Sequence, residues 1–306
     1  MNRLITKMLL RERDKFDEAE EKQLAEEEIT IPPDCCIAAD IPFRGRWTTF
    51  HPAKRMDVYH PMSAIFRLHD HPLYPVIVNI HGGGLIMGSK EFNTKFCLEL
   101  CRRGFVVLSL EYRLIPDVDV FQQFDDVARG MDQAIETLLM FHGDPDRVFV
   151  VGDSAGAYLA IYVCAMQNAP GLAKAANVQP SYLDVKALGL ISGMFYTCRM
   201  DKIGLSLPTY LYGEHYKKSA FYPYTNPEHP DIIQNLPSCY LITSHDDMLQ
   251  RYTLDFANAL RKGNAPYSLV NYPKDKRLTH AFSVFHPELD ASQEAIDGMT
   301  DYFLKR

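Results

Sequence analysis

The fold turns on Arg147-Val148-Phe149-Val150-Val151-Gly152-Asp153-Ser154-Ala155-Gly156. Its apolar, β-branched beginning reads as a buried strand, and from Ala155 to Asn168 the apolar positions continue at helical spacing. Ser154 therefore sits on a sharp strand-to-helix turn, where bulky neighbours would clash and glycine is needed on both sides. Such a serine holds its hydroxyl exposed at the sheet edge, near the positive end of a helix dipole. The plainer alternative is a tight turn in which Ser154 only caps the helix.

Outward from that turn, strands and helices alternate. Strands are predicted at 76–80, 105–110, 185–191, 239–243 and 267–270, and helices at 92–103, 121–141, 249–262 and 293–304. Gly104 stops the first of these helices. Strands separated by helices of this length need crossover connections, which predicts an α/β fold with a mainly parallel sheet and helices on both faces. Right-handed crossovers then place the strand C-termini along one edge, where open α/β sheets bind ligands.

That edge collects the reactive residues. His81-Gly82-Gly83-Gly84 follows the strand ending at Ile80, and its glycines leave backbone N–H groups uncovered. Such donors suit an oxygen that becomes negative during acyl transfer. A phosphate cradle is the rival reading, but no lysine follows at P-loop spacing and no G-x-G-x-x-G opens the next helix. A serine nucleophile needs a base, and the base needs an orienting group. Asp246 and Asp247 follow the strand at 239–243, and His280 lies beyond the strand at 267–270. His51, His60, His142, His215 and His229 sit in loops or before prolines or turns, while His245 and His286 read as structural. His69-Asp70-His71 has no further ligands clustered with it, so no metal is expected.

Together these segments resemble the hormone-sensitive-lipase-like branch of the α/β-hydrolase esterases. The serine turn and glycine loop carry the resemblance first. Asp57-Val58-Tyr59-His60-Pro61 is similar to the family's early strand, and Glu111-Tyr112-Arg113-Leu114-Ile115-Pro116-Asp117 to its D-Y-R-L-A-P-E segment. Asp247-Met248-Leu249 resembles its acid motif, and Thr279-His280-Ala281-Phe282 its histidine motif. The match runs from about residue 54 to the C-terminus. It implies Ser154 as nucleophile, His280 as general base and acid, and Asp247 rather than Asp246 as the orienting carboxylate. It also implies an oxyanion hole of Gly83, Gly84 and Ala155 N–H groups, with no metal or organic cofactor. Met248 replaces the family's proline and leaves Asp246 a competitor. Leu85-Ile86 replaces the aromatic common after the glycine loop, and Ala157 replaces a glycine, which bears on the acyl pocket.

The implied activity is a serine carboxylesterase acting on a small, short-acyl ester. A peptidase or amidase with the same triad and a non-catalytic hydrolase-fold binder are the alternatives. Composition agrees with a globular enzyme. The 306 residues are 47% hydrophobic and 23% charged, with a formal charge of −7 and a pI of about 5.9. This acidity disfavours nucleic acid and anionic membrane as partners. A homodimer is left open. The N-terminus has Arg3 ahead of Leu4 and Ile5, but Lys7 and the charged run at 11–15 argue against a signal peptide, and it reads as mature protein. Seven cysteines without framework spacing read as reduced thiols of a cytoplasmic protein, with Cys97 and Cys101 on one helix face.

The chain reads as a single domain over 1–306 with two cap pieces. The first is an N-terminal helical segment, 1–50, in which Leu4, Ile5, Met8 and Leu9 form a short apolar stripe. The second is an insertion at 195–235. Residues 195–224 hold eight aromatics, expected to line a cleft or else to form a small satellite core.

Overall fold

The computed structural model describes residues 3–26, 29–43, 55–64 and 72–306. His51, the His69-Asp70-His71 group and the side chains of Leu4 and Ile5 lie outside the described residues. The strands are β1 (Cys35–Pro42), β2 (Arg55–Pro61), β3 (Tyr74–Ile80), β4 (Val106–Leu110), β5 (Gly143–Asp153), β6 (Val185–Ile191), β7 (Ser238–Ser244) and β8 (Tyr267–Tyr272). They form one sheet in the order β1-β2-β4-β3-β5-β6-β7-β8. Every pairing from β4 across to β8 is parallel, and only β1 and β2 run antiparallel to their neighbours.

The helices are α1 (Arg3–Glu26), α2 (Thr94–Arg102), α3 (Val120–Met140), α4 (Ala155–Met166), α5 (Pro170–Ala176), α6 (Lys202–Ser206), α7 (Pro208–Tyr212), α8 (Pro230–Ile233), α9 (Gln250–Lys262), α10 (Phe282–Phe285) and α11 (Asp290–Phe303). Strand alternation sorts them into two layers. Val76, Val78 and Ile80 of β3 share a core with Val127 and Met131 of α3 and Ile161 of α4. Ile77 belongs to the opposite core, with Phe96 and Leu100 of α2 and Met299 and Phe303 of α11. Every residue of α4 is buried. A helix apolar all round needs cover on both sides, and the 195–235 segment supplies the second.

That cover is made of rings. Phe221 meets Phe121 of α3 edge-on at 5.0 Å between centroids, and Tyr212 stacks on Phe221 at 5.7 Å. The Tyr212 hydroxyl lies 2.6 Å from both the Tyr158 hydroxyl and Thr197 Oγ1. Tyr196 and Tyr224 instead turn their hydroxyls to the Glu228 and Asp231 carboxylates, at 2.8 and 2.9 Å. Tyr210 and Tyr212 also border a cavity of about 410 Å³ with Ile115 and Asp119.

The sequence did not disclose β1: the described residues within the expected helical segment at 1–50 hold α1 and then this strand. Among the described residues β1 pairs with β2 alone; it is mostly half-exposed and is interrupted by an irregularity between Ala38 and Ile41, where Asp40 has φ +57°. An apolar run was not needed to place it. β5 likewise begins before its apolar run, because Gly143 pairs with Tyr74. All seven cysteines are free, and Cys97 and Cys101 share the buried face of α2. No described helix is long and apolar enough to cross a membrane.

Candidate active site

The chain passes from β3 to β4 on one side and returns to β5 on the other, so the loops after β3 and β5 leave adjacent strands in opposite directions. Such a switch point opens a crevice at the strand C-termini. Ile80 and Gly152 are register partners there, which sets the glycine loop beside the serine turn.

Ser154 takes φ +49° and ψ −112°, outside both helix and strand, as a strained turn requires. Its glycine neighbours are steric necessities. A Cβ on Gly152 would lie 2.5 Å from the carbonyl carbon of Gly156, and one on Gly156 would lie 2.0 Å from the Ile80 carbonyl oxygen. The turn is fixed from β6 by Ser154 N–H donating to Ile191 O at 2.8 Å and by Met194 N–H donating to Ser154 O at 2.9 Å. The side chain makes no hydrogen bond among the described residues, which leaves its oxygen free at the mouth of α4. There the first-turn N–H groups, Ala155 among them, have no intrahelical acceptor.

The glycine loop is held rigidly. Tyr112 hydroxyl donates to His81 O at 2.9 Å and approaches Gly82 O at 3.2 Å, while its ring stacks on the His81 imidazole at 4.2 Å. His81 is fully buried, with Nε2 facing Glu111 Oε1 at 3.2 Å and Nδ1 facing Gly82 O at 2.9 Å. Burial opposes its charge, but hydrogen bonding and attraction to Glu111 prevail and raise its pKa. Gly83 and Gly84 follow with φ +102° and +61°. The Gly83 carbonyl accepts from Ile86 N–H at 3.2 Å and Met87 N–H at 3.0 Å, closing a turn that a side chain on Gly83 would break.

On the other side of the elbow, Asp247 and His280 meet. Asp247 follows β7, and its Oδ1 lies 2.7 Å from His280 Nδ1 and accepts from Leu249 N–H at 2.8 Å. Thr243 Oγ1 donates to Oδ2 at 2.8 Å. Burial pushes the Asp247 pKa up, yet His280, the Leu249 N–H and Ser192 outweigh it and hold the carboxyl below its ordinary range. An ionised carboxylate can only accept, so Nδ1 carries a proton, and in the neutral imidazole Nε2 is then the acceptor. Asp246 points elsewhere: its Oδ2 accepts from Asp275 N–H at 2.8 Å, and His245 lies 3.6 Å from its Oδ1. The histidine turn is tied to the serine-turn side of the edge, since Ala281 N–H donates at 3.0 Å to Ser192 Oγ, next to the Ile191 carbonyl that accepts from Ser154 N–H.

The structure pairs His280 with Asp247 and sets the glycine loop beside the Ser154 turn, while sequence reasoning assigned no role to several supports. Glu111 and Tyr112 were visible only as part of a family-like segment. Arg13 of α1 was unforeseen. Its Nε donates to Ile86 O at 2.8 Å, Nη1 binds Asp117 at 2.6 Å, and Nη2 donates to Ile115 O. No local pattern marks a long-range contact of that kind.

A family model for the α/β-hydrolase fold matches residues 77–283. This chain belongs to that family. The match agrees with the esterase-branch resemblance read from the motifs. A probable isoprenylcysteine alpha-carbonyl methylesterase of Oryza sativa subsp. japonica is 28% identical over 277 residues, covering 81% of this chain and 64% of that protein. A probable methylesterase of the same description from Arabidopsis thaliana is 31% identical over 144 residues, covering 47% of this chain and 32% of its own. The chain thus spans about a third to just under two thirds of these relatives' length. Among solved structures, esterase B from Lactobacillus rhamnosis aligns with a TM-score of 0.85 at 21% identity, covering 98% of this α/β-hydrolase and 94% of that chain. That likeness shows a shared fold.

Proposed function

We propose that this α/β-hydrolase is a serine carboxylesterase acting on small, short-acyl esters. The observation that carries the reading is the Asp247–His280 pair at the same sheet edge as the strained Ser154 turn and the glycine loop. Ser154 Oγ attacks the ester carbonyl while His280 Nε2 takes its proton. The oxyanion is held by the N–H groups of Gly83, Gly84 and Ala155. His280 then gives the proton to the departing alcohol, and water activated by the same imidazole cleaves the acyl-enzyme. Asp247 keeps the imidazole in the tautomer that this requires. The reaction as written needs no metal or cofactor.

The aromatic core between α3, α4 and 195–235 supports a short acyl group, since Phe121, Tyr212 and Phe221 pack against one another there. In this reading α1 and the 195–235 segment are cap pieces of a single domain. The free thiols suit a reducing compartment such as the cytoplasm. Esterase names among the relatives and structural neighbours support the reaction class. Isoprenylcysteine methyl ester therefore belongs in the test panel beside nitrophenyl acetate, butyrate and octanoate. The expected result is turnover of the short esters by wild type and its loss in Ser154→Ala. Equal turnover by that variant would sink the mechanism, and a preference for octanoate would overturn the short-acyl assignment.

A further inference from the structure

His280 lies on a turn between β8 and α10, and that turn is gripped on both sides by buried serines. On the C-terminal side, Ala281 N–H donates to Ser192 Oγ at 3.0 Å. On the N-terminal side, Ser244 Oγ donates to the Leu278 carbonyl. Ser192 immediately follows β6 and Ser244 ends β7, so each serine anchors the histidine turn to a different strand of the sheet. Both serines are wholly buried, as is Ala281. Hydroxyls buried this deeply are costly unless they bond, so their placement is specific.

The backbone adds to the argument. Ser192 has φ +50° and Ala281 has φ +52°, a left-handed conformation uncommon for residues with a Cβ. The two left-handed residues are joined by the hydrogen bond between them. Ser192 is further fixed by its N–H donating to Ile242 O at 2.9 Å. Since Ser192 Oγ accepts from Ala281, its own proton remains available, and the serine helps to hold the neighbouring Asp247 carboxylate ionised.

We infer that Ser192 and Ser244 are positioning residues that clamp the His280 turn from either side and set the imidazole against Asp247. The inference rests on the esterase reading for its kinetic consequences, but the clamp itself is a statement about His280. Both hydroxyls act through the backbone of the histidine turn, at Ala281 N–H and the Leu278 carbonyl. Loss of a clamp lets the imidazole drift, and a misplacement of about 1 Å can cost on the order of 100-fold in rate.

The test compares Ser192→Gly, Ser244→Ala and Ser154→Ala with wild type. Glycine suits φ +50°, so Ser192→Gly removes the hydroxyl while relieving backbone strain, and Ser244→Thr restores a hydroxyl at the second position. The expected result is a fall in kcat of about 10- to 100-fold for Ser192→Gly and Ser244→Ala, with KM within about twofold. Ser244→Thr should recover part of the loss. In proton spectra, the low-field Nδ1–H resonance of the His280–Asp247 bond should broaden in both clamp variants while far-ultraviolet circular dichroism stays unchanged. Wild-type kcat in both variants, or a kcat loss with that resonance still sharp, would overturn the clamp. Inactive Ser154→Ala beside fully active clamp variants sinks the clamp alone. Active Ser154→Ala sinks the esterase reading, and the resonance then still decides the clamp.

Discussion

Two adjacent carboxylates compete for one role, and their surroundings separate them. Asp247 is buried against His280, whereas Asp246 turns back to the 275 loop. Asn at 247 would keep the shape but reverse the hydrogen-bond polarity facing Nδ1, favouring the wrong imidazole tautomer. Asp247→Asn should therefore lower kcat by roughly 10³- to 10⁴-fold, and Asp246→Asn should change it little; steady-state kinetics on a short ester checks both. Gly156 gives a structural prediction of equal sharpness. An alanine there meets the Ile80 carbonyl at 2.0 Å, a backbone atom that cannot swing aside. Gly156→Ala should cost about 3 kcal/mol, read as a lower denaturation midpoint. Residues of this kind were legible in sequence because the turn concentrates glycine, serine and a strand within five positions. Asp247 was legible only as one of a pair, since neighbours in a loop can face opposite ways. Ser192 and Ser244 carried no signal, because a lone serine after an apolar strand has many ordinary uses.

Among the elements, α1 is the one whose attachment bears most directly on the site. Arg13 reaches the carbonyls of Ile86 and Ile115, which lie just beyond the glycine loop and just beyond β4. Phe16 packs edge-on against Phe92 at 5.2 Å, giving the helix a second anchor nearby. The Asp117 carboxylate that also binds Arg13 is 65% exposed, so that ion pair adds little by itself. The planar fork toward two carbonyls is the stronger restraint, and lysine cannot reproduce it. Arg13→Ala should lower kcat/KM for a short ester about 10-fold through a loosened glycine loop. Arg13→Lys should not restore it, and limited proteolysis should cut α1 faster in both. Wild-type kinetics in Arg13→Ala would show that α1 merely rests on the body. Element identity was readable wherever an apolar run or helical spacing marked it, as in β3 to β8 and α2 to α4. It failed for β1, an edge strand with one neighbour and few buried side chains, because its order comes from pairing with β2 rather than from its own pattern.

Across the whole molecule, two buried pairs at the same sheet edge respond to pH in opposite directions. The folded-state pKa of Asp247 is depressed, so its stabilisation is present above the ordinary carboxyl value of about 3.9 and disappears as pH falls through the lower folded value. The folded-state pKa of His81 is raised, so its stabilisation is complete below about 6.5 and disappears as pH climbs through the higher folded value. Stability should therefore form a plateau over mildly acidic pH, with the two pairs bounding it from opposite sides. Substitutions should remove one shoulder each. Glu111→Gln leaves His81 buried without its counter-charge, which should cost about 3 kcal/mol at pH 6, and the gap to wild type should narrow as pH rises and His81 becomes neutral. Asp247→Asn should leave the alkaline shoulder intact and flatten the acid one. Urea unfolding at intervals from pH 3 to 10 measures both. A gap between wild type and Glu111→Gln that stays constant over that range would mean that the buried imidazole is neutral throughout, and that the glycine loop is held by Tyr112 and backbone bonds without a charged partner beneath it.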